Sequence, residues 1–170
     1  MAMSLVSTVT VGSGGAASME FTNIVGTGKD LLLLVSARRD SSSGNSSVAS
    51  LRFNGSTSGY TSRYLYGDGS SRFSASTSTN QLLLGEGTIP NETWTADTIG
   101  SLGIYIPNYA GATNKTISCD AVSEHNITEA YQNIVAGQWA NTAAITSISF
   151  FLQSGGTINQ FSTASLYIIS

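Results

Sequence analysis

Asp30-Leu31-Leu32-Leu33-Leu34-Val35-Ser36-Ala37-Arg38 is the stretch on which the reading of the fold turns. Its apolar run, Leu31 to Val35, is the longest in the chain and far short of the ~18 to 20 residues that would span a bilayer. Bounded by Asp and Arg and apolar on both alternating faces, it reads as a central β-strand covered on both sides. The segments around it repeat the strand signal at shorter length, each closed by Gly, Asn, Asp or Pro.

Upstream lie Leu5 to Val11 and Met19 to Val25. Downstream, Val48 to Phe53 runs into Asn54-Gly55 and Tyr60 to Tyr66 runs into Asp68-Gly69. Both dipeptides readily take the positive φ angles of hairpin turns. Gln81 to Leu84, Ser101 to Ile106 and Thr116 to Val122 follow, with Pro107 closing the middle one. Glu129 to Trp139 is open between helix and strand: its β-branched and aromatic residues favour a strand, and Gly137 weakens a helix. Ile145 to Leu152 places Ile148, Phe150 and Leu152 on one face, and Ala164, Leu166 and Ile168 do the same in the last segment. About ten short strands and almost no helix predict an all-β fold. A two-sheet sandwich with jelly-roll topology is the leading expectation, and an up-and-down barrel is the alternative. The whole chain, 1–170, is expected to form one domain, with 1–30 a candidate arm contacting a capsid or another subunit.

Only 10% of the residues are Asp, Glu, Lys or Arg, well under the roughly 25% usual for globular proteins, so solubility has to come from uncharged polar groups. Ser and Thr supply them, most densely in Asp40 to Ser47 and Ser70 to Thr79. A net charge of -3 with no Lys/Arg cluster disfavours nucleic acid as a partner. Arg38-Arg39, the only adjacent basic pair, reads as a strand end reaching solvent. The N-terminus lacks the basic start and apolar core of a secretory signal. A lone Cys119 forbids an internal disulfide and fits a reducing cytoplasm.

The chemistry available is narrow. Every Cys-His or Ser-His mechanism would have to pass through the single His125. In an extended Thr116 to Val122, Cys119 and Asp120 point to opposite faces, so Cys119 reads as a buried, inert thiol. One His and one Cys do not make a zinc site, and neither Asp40 to Asn45 nor Asp68 to Ser71 has calcium-loop spacing. Val11-Gly12-Ser13-Gly14-Gly15 lacks the Lys-Ser/Thr of a phosphate loop. Among the acids, Glu86, Glu92 and Asp97 do not single out a hydrolytic pair. Sequons at Asn45, Asn54, Asn91, Asn114 and Asn126 follow from the abundance of Asn, Ser and Thr. The chain therefore reads as non-enzymatic, with no catalytic residue, cofactor or metal. The candidate contact residues are aromatic: Tyr60, Tyr64, Tyr66 and Tyr109, for a protein interface or for stacking on a glycan.

The order of the segments carries a resemblance. Leu51-Arg52-Phe53-Asn54-Gly55, Tyr60-Thr61-Ser62-Arg63-Tyr64-Leu65 and Gly67-Asp68-Gly69-Ser70-Ser71 form one block. Ile104-Tyr105-Ile106-Pro107-Asn108-Tyr109-Ala110-Gly111 with Asn114-Lys115, and then Glu129-Ala130-Tyr131, Gly137-Gln138-Trp139 and Ala144 to Ile148, continue it over about residues 30 to 170. This pattern resembles virion structural proteins of tailed bacteriophages, including those of cyanobacterial hosts. The resemblance implies a β-sandwich part of the particle, made in the bacterial cytoplasm. Its leading role would be capsid decoration or cementing, as a homotrimer bound to the major capsid protein. A tail-fibre or spike module binding host-surface glycans is the second role it implies. It supplies no catalytic motif.

Overall fold

The computed structural model describes residues 2–40, 46–124 and 130–170, and no helix occurs among them. Sixteen strands are present there: β1 Met3–Thr10, β2 Ser18–Phe21, β3 Asp30–Ala37, β4 Arg39–Asp40, β5 Ser46–Ser47, β6 Ala49–Phe53, β7 Tyr60–Gly67 and β8 Arg72–Thr79. These are followed by β9 Leu82–Leu83, β10 Ile89–Pro90, β11 Gly100–Pro107, β12 Lys115–Glu124, β13 Ala130–Trp139, β14 Ile148–Leu152, β15 Thr157–Ile158 and β16 Thr163–Ile169.

Two sheets make the sandwich. The large one has eight strands in the order β1-β16-β3-β11-β12-β13-β7-β8, and the small one four, β2-β14-β6-β9. Two further two-stranded pairs, β10-β5 and β15-β4, complete the pairing. Every pairing is antiparallel. The ends of the large sheet, β1 and β8, do not meet, so the molecule is an open sandwich and not an up-and-down barrel. Jelly-roll connectivity is compatible with this arrangement, although the sheets divide eight to four.

Period-2 alternation explains the core. Strand β12 alternates buried and exposed over its full length, with Ile117, Cys119 and Ala121 facing inward. Ala164, Leu166 and Ile168 face inward from β16 of the same sheet, and Ile148, Phe150 and Leu152 from β14 of the small one. A triad of aromatic rings ties the layers together. Phe53 of the small sheet lies 5.7 Å from Trp139 and 6.2 Å from Tyr60 of the large one, while Tyr60 stacks on Trp139 at 6.1 Å. The Phe53 amide donates to the Tyr60 hydroxyl at 2.8 Å, so the phenol's polar end is satisfied inside the core.

Several sequence expectations change. β3 sits inside the large sheet between β16 and β11, as its apolar run suggests. It is covered on one face only: Leu31, Leu33, Val35 and Ala37 are buried, while Leu34 is 42% exposed. No third layer covers the outside of the sheet among the described residues. Asn54-Gly55 is a turn with φ of 51° and 66°, closed by Ser56 N–H donating to the Phe53 carbonyl at 2.9 Å. It does not close a hairpin, because β6 and β7 belong to different sheets, and the turn carries the chain across the sandwich. The Asn54 side chain also holds the approach to β14, donating to Ala144 O at 2.8 Å and accepting from Thr146 N at 2.8 Å. Asp68-Gly69 does join paired strands, β7 and β8. Ala130–Trp139 is a strand, with Gly137 where an added Cβ would come within 2.7 Å of Leu82.

Residues 2–30 carry one edge strand of each main sheet. β1 pairs with β16 along one edge of the large sheet and β2 with β14 along one edge of the small sheet, because Met19 and Phe21 bury completely in the core. Arg38 is half-buried and does not end free in solvent. Its guanidinium donates to Thr95 O, Thr98 O, Thr98 Oγ1, Glu92 O and Trp94 O at 2.7 to 3.3 Å, binding together the loop between β10 and β11.

Candidate functional site

The four aromatic candidates separate into two pairs. Tyr60 is 1% exposed within the cross-sheet triad, and Tyr109 is fully buried, its hydroxyl donating to the Val25 carbonyl and accepting from Gly28 N at 3.3 Å. Burial removes both from any contact surface. Tyr64 and Tyr66 stand two residues apart on the inner face of β7, where the large sheet extends past the small one. Both rings are half-buried.

They belong to a cluster that sequence reading did not assemble. Tyr66 stacks on Phe73 of β8 at 4.8 Å and lies 6.2 Å from both Tyr64 and Tyr131 of β13. Trp94 stacks on Tyr131 at 6.1 Å. The loop from Gly85 to Gly87 presses against this cluster. Asn133 is fully buried and holds the loop through both ends of its amide, accepting from Glu86 N at 2.9 Å and donating to Glu86 O at 2.8 Å. Ser123 adds a hydroxyl bond to Gly87 O. Gly87 has φ of +61°, and a Cβ there would fall within 2.4 Å of the Tyr131 ring. Glycine is therefore required twice over, for the backbone and for the ring beneath it.

Glu86 brings a half-buried carboxylate to the cluster. Burial raises its pKa above the usual carboxylate range. Burial also raises the pKa values of Tyr64 and Tyr66, with the Glu86 charge adding to both. The result is a patch of aromatic faces beside one carboxylate acceptor.

A second, larger feature lies on the opposite side of the large sheet. Along its outer face, Leu5, Leu34, Tyr105, Val122, Ile134 and Leu65 are exposed, with Ile134 at 60% and Leu65 at 59%. Register places Leu34, Gly103, Asp120, Ile134 and Leu65 in one row across five strands. Between the apolar side chains lie mostly Ser, Thr and Gln, with Asp120 and Arg63 on neighbouring rows as opposite charges. A shallow groove of about 670 Å³ crosses this face at the β7-β8 end, lined by Leu65, Arg72, Phe73, Ser74, Gln132 and Ile134 among others.

Cys119 is 1% exposed, and burial, with Asp120 nearby, pushes its thiol up to about 12, which makes it inert as a nucleophile at neutral pH. Asp120 faces the opposite side of β12, as the alternation predicts. His125 and the sequons at Asn45 and Asn126 lie outside the described residues, as do residues 41–45 of the Asp40 to Asn45 segment. Among the described residues, no three His, Cys, Asp or Glu side chains gather as a metal site, and no helix is long and apolar enough to cross a membrane. Asp68 is a turn residue: it accepts from Ser70 N and Ser71 N at 2.9 and 2.6 Å, bonds that hold its carboxyl below the ordinary range.

Comparison of the chain with protein-family models, with curated proteins and with solved structures finds no match.

Proposed function

We propose that this chain is a non-enzymatic structural protein of a tailed-phage particle, a decoration or cement protein that docks on the major capsid protein through the outer face of its large sheet. The exposed apolar side chains scattered over that face, Leu5, Leu34, Leu65, Tyr105, Val122 and Ile134, carry the reading. Eight strands spaced ~4.8 Å apart, each about eight residues long at ~3.3 Å per residue, make a footprint of roughly 900 Å². One partner in a stable protein complex typically buries ~800 Å². Large apolar side chains with few charges on such a surface suit a contact made once and kept. The resemblance of the segment order to virion proteins points the same way, and with it a homotrimer around local threefold axes of the shell. Protein bound across neighbouring capsid subunits would stabilise the assembled head by mass action. Two measurements test this. Particles lacking the protein should burst at lower temperature and milder osmotic shock than complete particles. A chain carrying Leu65→Asp and Ile134→Asp should fold normally and fail to restore resistance when added back. Equal resistance with and without the protein removes the cementing role.

The aromatic cluster favours a second reading, recognition of host-surface glycans by a tail-fibre or spike module. Sugar rings stack their C–H faces on aromatic side chains, and a carboxylate accepts from adjacent hydroxyls. Tyr64, Tyr66 and Phe73 beside Glu86 offer both. Saturation-transfer NMR of the full chain with oligosaccharides released from host envelope would show contacts that Tyr66→Ala abolishes. Absence of transfer leaves the cluster as packing at the open end of the sandwich.

A further inference from the structure

We propose that β8 is a homotypic pairing edge, through which two copies of this chain join their β8 strands antiparallel about a two-fold axis and continue two large sheets into one. A free sheet edge is a row of unpaired backbone donors and acceptors, and proteins that remain monomeric blunt such edges with short strands, bulges, Lys or Pro. Of the four edges of the two main sheets, three carry such a device. β1 has a register shift between Leu5 and Ser7, β2 has four residues and β9 two. β8 has none. It runs eight residues from Arg72 to Thr79, in unbroken register with β7, exposed or half-exposed throughout, without Lys or Pro. Among the described residues, no backbone bond outside the strand ladders involves residues 72–79.

The sequence of β8 suits its own copy. A two-fold axis perpendicular to the sheet keeps inner residues inner and outer residues outer, so opposed residues share parity. Centring the axis on Ala75 pairs Arg72 with Ser78, Phe73 with Thr77, Ser74 with Ser76 and Ala75 with itself. The one charge, Arg72, never meets its copy. Ala75 on its copy is neutral, and the other two pairs are hydroxyl with hydroxyl and aromatic with β-branched, combinations that stabilise antiparallel neighbours. Phe73, 44% exposed in the single chain, gains a cross-strand cover on each side of the axis. Such an isologous contact closes on itself and does not propagate into a filament. It is separate from threefold packing on a shell, where it would tie one trimer to the next.

Ala75→Cys in the full chain tests the pairing. Directly opposed residues of antiparallel strands have Cα atoms about 4.5 to 5.5 Å apart, within disulfide reach. Cys119 is buried and does not compete. Under mild oxidation the variant should run as a covalent dimer on non-reducing gels. Ser4→Cys, placed on the exposed β1 edge, should remain largely uncrosslinked. Adding Ser74→Lys and Ser76→Lys sets lysine opposite lysine and should drop the Ala75→Cys crosslink to the Ser4→Cys level, with an unchanged circular dichroism spectrum. Independently of any variant, amide exchange of residues 72–79 in the unmodified chain should quicken on dilution. Crosslinking of Ala75→Cys no greater than that of Ser4→Cys, or exchange in β8 that ignores concentration, overturns the proposal. Either result leaves attachment to the head to be judged by the particle measurements.

Discussion

Arg38 shows how one side chain can fix a loop that has little secondary structure of its own. Between β10 and β11 the chain runs through Asn91 to Ile99, and four of its carbonyls, with the Thr98 hydroxyl, converge on the Arg38 guanidinium. Only a planar fork of several donors reaches so many acceptors at once. Arg38→Met should cost about 2 to 3 kcal/mol, the scale of hydrogen bonds to a charged group with acceptors left unpaired, as read by urea denaturation. Arg38→Lys should recover only part of this. Glu86 makes a prediction with a sign. Its pKa in the folded chain lies above the ordinary value because burial penalises the anion. Its contribution to stability is full below the unfolded-state value and is lost as pH rises through the raised folded value. The melting temperature of the native chain relative to Glu86→Gln should therefore fall as pH rises from about 4, the ordinary carboxylate value. A gap that widens in favour of Glu86 as pH rises contradicts the assignment.

At the level of the element, β3 separates two kinds of leucine that look alike in sequence. Leu33 is fully buried and Leu34 is 42% exposed, one residue apart on opposite faces. Leu33→Ala should cost roughly 2 to 5 kcal/mol through the cavity it leaves. Leu34→Ser should cost at most about 1 kcal/mol, within the range of exposed strand positions. Paired denaturation curves of the two variants check the contrast, and equal losses would mean that the outer face of β3 is covered within the single chain. β8 gives the complementary lesson. Its Arg72-Phe73-Ser74-Ala75-Ser76-Thr77-Ser78-Thr79 reads as polar composition, because small hydroxyl residues alternate with few large apolar ones. It forms a strand because β7 supplies an edge and the Asp68 turn returns the chain along it.

Across the whole molecule, the terminal strands lie side by side. Met3 pairs with Ile169 and Thr10 with Thr163, so the first and last strands of the large sheet's edge come from opposite ends of the chain. Pairing of this kind is non-local and places folding in the millisecond-to-second class of β-sandwiches. Cys119 reports on the cooperativity of the result. It lies at the middle of β12, four strands from either edge or fewer, and is inward-facing and nearly unexposed. Its labelling by a thiol reagent at about pH 8 should be limited by global unfolding and rise in parallel with the denaturation curve. Rapid labelling under native conditions would show that the large sheet opens locally at its centre.

Alternation along β12, β14 and β16, the inertness of Cys119 and the all-β class follow from the sequence, since side-chain period and burial are set locally by which residues repeat every second position. The same local information cannot count layers. It left both faces of Asp30 to Arg38 equally apolar, sent Arg38 to solvent, made a hairpin of Asn54-Gly55 and grouped Tyr60 and Tyr109 with Tyr64 and Tyr66. Each of these was decided by which strand lies beside or above another, through pairings tens of residues apart. The eight-to-four division of the sheets is the main such decision. It leaves Tyr64 and Tyr66 half-buried at the margin of the core, while the absence of a third layer among the described residues leaves the outer face of the large sheet open; the two candidate surfaces exist for these reasons.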